Sequence, residues 1–243
     1  MIRKVYSDED LRAINLLFDN QFKKFSLKIP NKNKSFKFLS NASHIIPDFE
    51  ILLTNSNLHI ILKKLSNRKQ YAYTSHSDMH VNNDSEWHKD VGDGDYFPSC
   101  IDSLYENKKI NIFRIGVYLN KSIKSGSLSV RDKSHLKKNL DVGKSIYLPS
   151  SPGDIIIFDP RITHKGVLGT RLIDKFLRYL SIPYFSKHRK ACFFTFGVND
   201  KYTRDYANQN MKRQLLQTDK IVREKMPTSL KTKLNKINVA SFF

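Results

Sequence analysis

Two short triplets in this 243-residue chain pair an imidazole with a carboxylate at a spacing of two, His76-Ser77-Asp78 and His88-Lys89-Asp90. On an extended strand alternate side chains share a face, so in either triplet the histidine and aspartate can ligate one ion from a rigid backbone. A distant third histidine would complete a 2-His-1-carboxylate facial triad, which leaves coordination positions open and suits non-haem Fe(II) oxygenases. With eight histidines present, either triplet alone can arise by chance. The segment SSPGDIIIFDPRITHKG, residues 150 to 166, adds weight. Pro152-Gly153 predicts a turn, Asp154 to Phe158 a strand, and His164 sits just past it. Phe158, Pro160, Ile162 and His164 share one parity, which allows His164 to point into a barrel mouth.

Other chemistries find less support. There is no G-x-S-x-G elbow, and Cys100 and Cys192 have neither a catalytic context nor metal-ligand spacing. None of the nine glycines forms a phosphate-binding loop, and Gly92 and Gly94 read as a turn in an Asp-rich loop. His44, His59 and His188 carry no spacing signal and read as structural. Lys and Arg number 42 against 23 Asp and Glu, and the net charge of +19 would concentrate anionic partners near the surface. A coding bias toward lysine, asparagine and isoleucine accounts for that charge equally well. Two cysteines are too few for a disulfide framework. The opening MIRKVYSDED turns acidic where a signal peptide needs an apolar run, and no stretch reaches the roughly 18 apolar residues of a membrane span. The expectation is a cytoplasmic protein with reduced thiols.

The elements that must position these groups follow from periodicity. Ser7 and Asp10 read as a capping box, and Leu11, Ile14, Leu16, Leu17 and Phe18 give an amphipathic helix behind it. After the polar stretch NKNKSFKF, the runs FEILL and LHIILKKL predict one or two helices between residues 48 and 66. From Gln70 the texture changes to YAYTSH, NIFRIGVYL, SLSVR, SIYLP, DIIIF and KFLRYLSIPYF, short runs separated by Gly, Pro, Asn and Asp that mark an antiparallel sandwich or barrel. In NIFRIGVYL, Phe113, Ile115, Val117 and Leu119 alternate with Arg114, Gly116 and Tyr118, the pattern of a half-buried strand. Past Val198 the chain turns polar and helical, which predicts a basic helical tail beside the β core.

The run from WHKD, through FRIGVYLN and SGSLSVRDKSH, to PGDIIIFDPRITHKG and FLRYLSIPYF resembles the phytanoyl-CoA dioxygenase-like branch of the Fe(II)/2-oxoglutarate-dependent oxygenases, over roughly residues 85 to 186. The resemblance implies that His88, Asp90 and His164 hold Fe(II) and that Arg178 binds the distal carboxylate of 2-oxoglutarate, with Arg171 as a substitute. A guanidinium suits that role because it pairs bidentately with a carboxylate. Trp87 and the block order favour the second triplet, so His76 and His80 read as loop or hairpin residues near the mouth. His135, in the Ser-His block, reads as packing or hydrogen bonding. Arg114 either touches 2-oxoglutarate or substrate, or is a solvated surface residue.

The fold expected is mainly β, a double-stranded β-helix of the jelly-roll or cupin type with flanking N-terminal and C-terminal helices, in one domain. Its expected parts are a helical flank at 1–67, a catalytic core at 68–186 and a basic helical extension at 187–243. The activity implied is a dioxygenase using Fe(II), O2 and 2-oxoglutarate to hydroxylate an anionic small molecule, with release of succinate and CO2. Two alternatives stand beside it: the same chemistry on nucleic acid, and a non-catalytic β-barrel that binds a ligand.

Overall fold

The computed structural model describes residues 1–24, 37–82, 85–91, 101–106, 110–122, 127–166, 189–217 and 225–243. Helix α1, Asp8–Lys24, starts at the expected capping box. The Ser7 amide donates to Asp10 Oδ2 at 2.9 Å and the Asp10 amide to Ser7 Oγ at 3.1 Å, so each side chain satisfies an amide at the helix start. Helix α2 (Ala42–Ile45) comes before the stretch expected at 48–66, which is itself a series of short pieces: a 3-10 turn (Pro47–Phe49), α3 (Glu50–Leu53) and α4 (Ser56–Leu65). The Asn55 side chain caps α4 by accepting from the Leu58 amide.

The strands form two sheets. The larger contains β1 (Lys37–Ser40), β2 (Tyr71–Val81), β3 (Ile112–Tyr118), β6 (Ile155–Phe158), β8 (Lys190–Val198) and the short β9 (Ala240–Ser241). Its order is β1-β2-β8-β3-β6, all antiparallel, with β9 added parallel to β2. The smaller sheet has the order β5-β4-β7, from β4 (Leu128–Arg131), β5 (Ser145–Leu148) and β7 (His164–Gly166). The remaining helices are α5 (Ile101–Glu106), α6 (Lys201–Gln217) and α7 (Thr228–Lys236). Among the described residues no helix is long and apolar enough to cross a membrane.

Strand β8 corrects one expectation. A core ending at residue 186 leaves Lys190–Val198 to a helical extension, yet this strand lies between β2 and β3 at the centre of the larger sheet. Its alternation was readable: Cys192, Phe194 and Phe196 join the main apolar core, while Ala191 and Phe193 face the other way. The predicted strand KFLRYLSIPYF lies outside the described residues.

Each face of the large sheet is covered. One packs against the helices: Met79, Ile115, Val117, Ile155, Phe194 and Phe196 meet Ile14, Phe18, Phe49, Leu58 and Leu230 in one cluster. Across the other, Tyr118, Ile156, Phe158, Ala191 and Phe193 meet Leu128 and Val130 of the smaller sheet. The alternation read in β3 is therefore real, but the strand is buried on both faces, and Arg114 is buried rather than solvated.

Two local features aim the chain at the site. Gly153 has φ +85° in the turn before β6, and a Cβ there would lie 2.7 Å from the Tyr6 carbonyl oxygen. The Gly153 carbonyl accepts from the amides of Val5 and Tyr6, so the N-terminal segment clamps the turn that leads toward His164. In β2, four residues from Tyr73 to Ser77 span the two that separate Phe196 from Phe194 on β8. Ser75, with φ 63°, sits inside that bulge, immediately before His76.

Helix α6 packs close to β8. A Cβ on Gly197 would fall 2.5 Å from Thr203 Oγ1 and 2.6 Å from its Cγ2. Gly197→Val should force helix and strand apart and cost about 1–3 kcal/mol, read as a lower urea midpoint at unchanged slope.

Candidate metal centre

His88 and His164 come from distant parts of the chain and are joined through their backbones. The His88 amide donates to the His164 carbonyl at 3.0 Å, and the His164 amide to the His88 carbonyl at 2.8 Å. This is a hydrogen-bonded antiparallel pair, which puts both side chains on one face. Their ring centroids are 4.3 Å apart. The Asp90 amide donates to the Pro160 carbonyl at 3.0 Å, tying the same two segments together two residues on.

Between them, Lys89 points the opposite way. Its ammonium donates to the carbonyls of Ser134 and Arg161, both at 2.7 Å, and pins the triplet from behind. Burial lowers its pKa to about 8. The segment carrying His164 is held likewise: the Thr163 amide donates to Ser134 Oγ, and the buried Arg161 guanidinium pairs with Asp159 and donates to the Leu104 carbonyl.

The side chains converge. One donor atom from each of His88, Asp90 and His164 lies within 4.8 Å of the other two, the one such group of His, Cys, Asp and Glu among the described residues. Nδ1 of His88 is 2.8 Å from the Glu86 carbonyl, and Nδ1 of His164 is 3.0 Å from the Ile162 carbonyl. A carbonyl accepts only, so each Nδ1 carries a proton and Nε2 is the nitrogen left to face the centre. Asp90 Oδ1 stands 4.0 Å from Nε2 of His88 and 3.7 Å from Nε2 of His164. Two imidazole lone pairs and one carboxylate oxygen fit a divalent transition metal.

The surrounding charges keep these ligands ready. Burial alone would raise the Asp90 pKa, but the Arg114 guanidinium, followed by His164, holds its carboxyl well below the usual carboxylate range. Arg114 Nε lies 3.1 Å from Asp90 Oδ2. His164 is pushed down to about 4, mainly by burial, with His88 adding to the effect.

The open side is a cleft lined by His88, Asp90 and His164 together with His80, Arg114 and Arg189. Leu128 and Phe193 supply apolar wall, and Ser85 and Gly166 complete the lining. The guanidinium of Arg189, next to the first residue of β8, lies 5.2 Å from the Tyr118 ring centroid.

The expected residues divide as follows. His88, Asp90 and His164 are brought together, and Arg114 faces the same cleft. Arg178 and Arg171 lie outside the described residues, as does His188. His135 is half-buried in a 3-10 turn, Ser134–Leu136, and is not part of the cleft wall. His76 and His80 are not loop or hairpin residues: both are in β2, His76 fully buried and His80 in the cleft wall. Arg189 and Phe193 were missed because the core was closed before β8. The basic run KHRK followed by alternating aromatics was the signal available.

No protein-family model matches the chain. No curated protein matches it in sequence either. Solved structures do match. The non-heme alpha-ketoglutarate-dependent carbocyclase SnoK from nogalamycin biosynthesis aligns at TM-score 0.59 and 15% identity, over 82% of this chain and 79% of its own. The alpha-ketoglutarate-dependent epimerase SnoN, from the same biosynthesis, gives 0.58 and 11% over 80% and 75%. HygX from Streptomyces hygroscopicus, solved with nickel and 2-oxoglutarate bound, gives 0.56 and 12% over 82% and 81%. The chain has the fold of these proteins. At such identities the likeness is one of architecture, and the site must be argued from its own residues.

The buried histidines set an acid limit. Burial lowers His76 and His164 to about 4 and His80 to about 3, from an ordinary 6.5. Between those values and 6.5 the unfolded chain binds protons that the folded one does not, so stability falls as pH falls through this window. The metal-free protein should lose on the order of 3–4 kcal/mol per pH unit near pH 5, if all three histidines respond. Urea midpoints measured between pH 7.5 and 4.5 check this, and a flat profile would contradict the burial.

Proposed function

We propose that this protein is an Fe(II)- and 2-oxoglutarate-dependent oxygenase of the phytanoyl-CoA dioxygenase-like kind, acting on a small anionic molecule. The carrying observation is the convergence of the His88, Asp90 and His164 donor atoms at the wall of an open cleft. The strand order of the two sheets supports the reading of a double-stranded β-helix, with His164 in the smaller sheet and His88 bridged to it. His88, Asp90 and His164 would hold the iron. Bound there with 2-oxoglutarate and O2, iron supplies the oxidising power for C–H hydroxylation, the cosubstrate leaving as succinate and CO2.

The protein's own part is placement and charge. Its three ligands carry one negative charge, from Asp90, beside two neutral imidazoles. Two guanidinium groups, Arg114 and Arg189, line the cleft and favour anionic occupants. Arg114 is engaged with carboxylates at its inner end. Arg189, whose guanidinium lies 5.2 Å from the Tyr118 ring centroid and donates to its hydroxyl at 3.4 Å, is our choice for the distal carboxylate of 2-oxoglutarate. Arg178, implied by the resemblance, is the alternative. Leu128 and Phe193 offer apolar contact and limit water near the triad.

Purified protein should decarboxylate 2-oxoglutarate only when Fe(II) is supplied, and His164→Ala or Asp90→Ala should abolish this. Succinate release at the normal rate in either variant would sink the assignment. Arg189→Met should raise the Michaelis constant for 2-oxoglutarate by about 10- to 100-fold, the loss expected when a charge-assisted pair is removed. The same rise in Arg178→Met with none in Arg189→Met would move the anchor to residue 178.

A further inference from the structure

The first triplet, His76-Ser77-Asp78, ligates nothing in the metal reading, yet its carboxylate is buried next to the site. Asp78 Oδ2 accepts from Arg114 Nη2 at 2.6 Å and lies 3.0 Å from His76 Nε2. Its other oxygen is 3.4 Å from the Gln214 amide of α6. Arg114 Nη1 donates to Thr195 Oγ1 at 3.2 Å on the neighbouring strand. The Nε of the same guanidinium, beside Nη2, faces Asp90 Oδ2 at 3.1 Å.

Arg114 is therefore shared between two carboxylates, one of them an expected metal ligand. A guanidinium facing a single carboxylate takes both oxygens in a fork. Here Asp78 and Thr195 occupy the terminal nitrogens, so Asp90 meets only Nε and keeps Oδ1 directed at His88 and His164. Helix α6 braces the arrangement: Tyr206 OH lies 2.7 Å from His76 Nδ1, Arg213 Nη2 2.9 Å from His76 Nε2, and Asn210 Oδ1 accepts from Arg213.

We infer that Asp78 is a positioning residue for the metal centre, restraining Arg114 so that Asp90 offers one oxygen to a divalent cation. The inference rests on the metal reading above. Without the Asp78 charge, Arg114 would rotate onto both oxygens of Asp90 and compete with the cation. Outer groups that orient metal ligands commonly change metal affinity by 10- to 100-fold.

Anaerobic titration of the metal-free protein with Co(II), followed by its d–d absorption, tests this without turnover. Asp78→Asn should weaken Co(II) binding about tenfold and alter the band envelope. In an Arg114→Gln background the same substitution should change affinity less than twofold, because the restrained group is gone. Thr195→Val, a milder change, should weaken binding about threefold and supplies the answer if Asp78→Asn does not fold. Thr203→Ala, which loosens α6 where it packs on Gly197 and touches none of these groups, should leave the constant unchanged, and a loss equal to that of Asp78→Asn would overturn the inference. So would unchanged affinity in the Asp78 and Thr195 variants, or an equal loss with and without Arg114. Failure of the unsubstituted protein to bind Co(II) would instead remove the metal reading itself.

Discussion

Two backbone hydrogen bonds, exchanged between His88 and His164, bring together segments 76 residues apart and orient both imidazoles at one point. Everything else around the site can be seen as holding that pair in register. Lys89 fixes it from behind, the Asp90 amide extends it toward Pro160, and β4 holds β7 on its other side. A one-residue slip would turn one imidazole to the opposite face. The convergence of these donor atoms is a property of strand register before it is a property of side chains.

The second constraint is electrostatic. Asp78, Asp90 and Arg114 form a compact buried group in which two anions share one cation, and Arg213 of α6 joins it through His76. Such a group contributes little net stability and is costly to break by halves, because the remaining charge is left buried. Its value is in specifying orientation. That also explains why α6 can be buried though its apolar residues do not form one stripe: Tyr206, Asn210 and Gln214 are wholly buried against polar groups.

What could be read in the amino-acid order depended on range. The Ser7–Asp10 box is local and was visible as it stands. The triad was visible because a spacing of two, a Pro-Gly-Asp turn and a matched parity each constrain one ligand independently. The role of His76 and Asp78 was not visible, because a triplet was weighed as metal ligand or loop, and its partners Arg114 and Gln214 lie 36 and 136 residues away. Tyr206, Asn210, Arg213 and Gln214 look in isolation like the solvated side of a tail helix. Only the buried carboxylate on β2 gives them a reason to turn inward.

The place of β8 has a consequence for how the protein is made. β2 and β3 are ready early in synthesis, but the strand that separates them in the sheet emerges more than 70 residues after β3 has ended. Until then both present unpaired edges rich in β-branched and aromatic residues, which are open to wrong pairing with each other or with another chain. Closure of the large sheet is therefore a late, long-range event, of the kind that slows folding. The ribosome delivers His88, Asp90 and His164 first and the strand that walls them in afterwards.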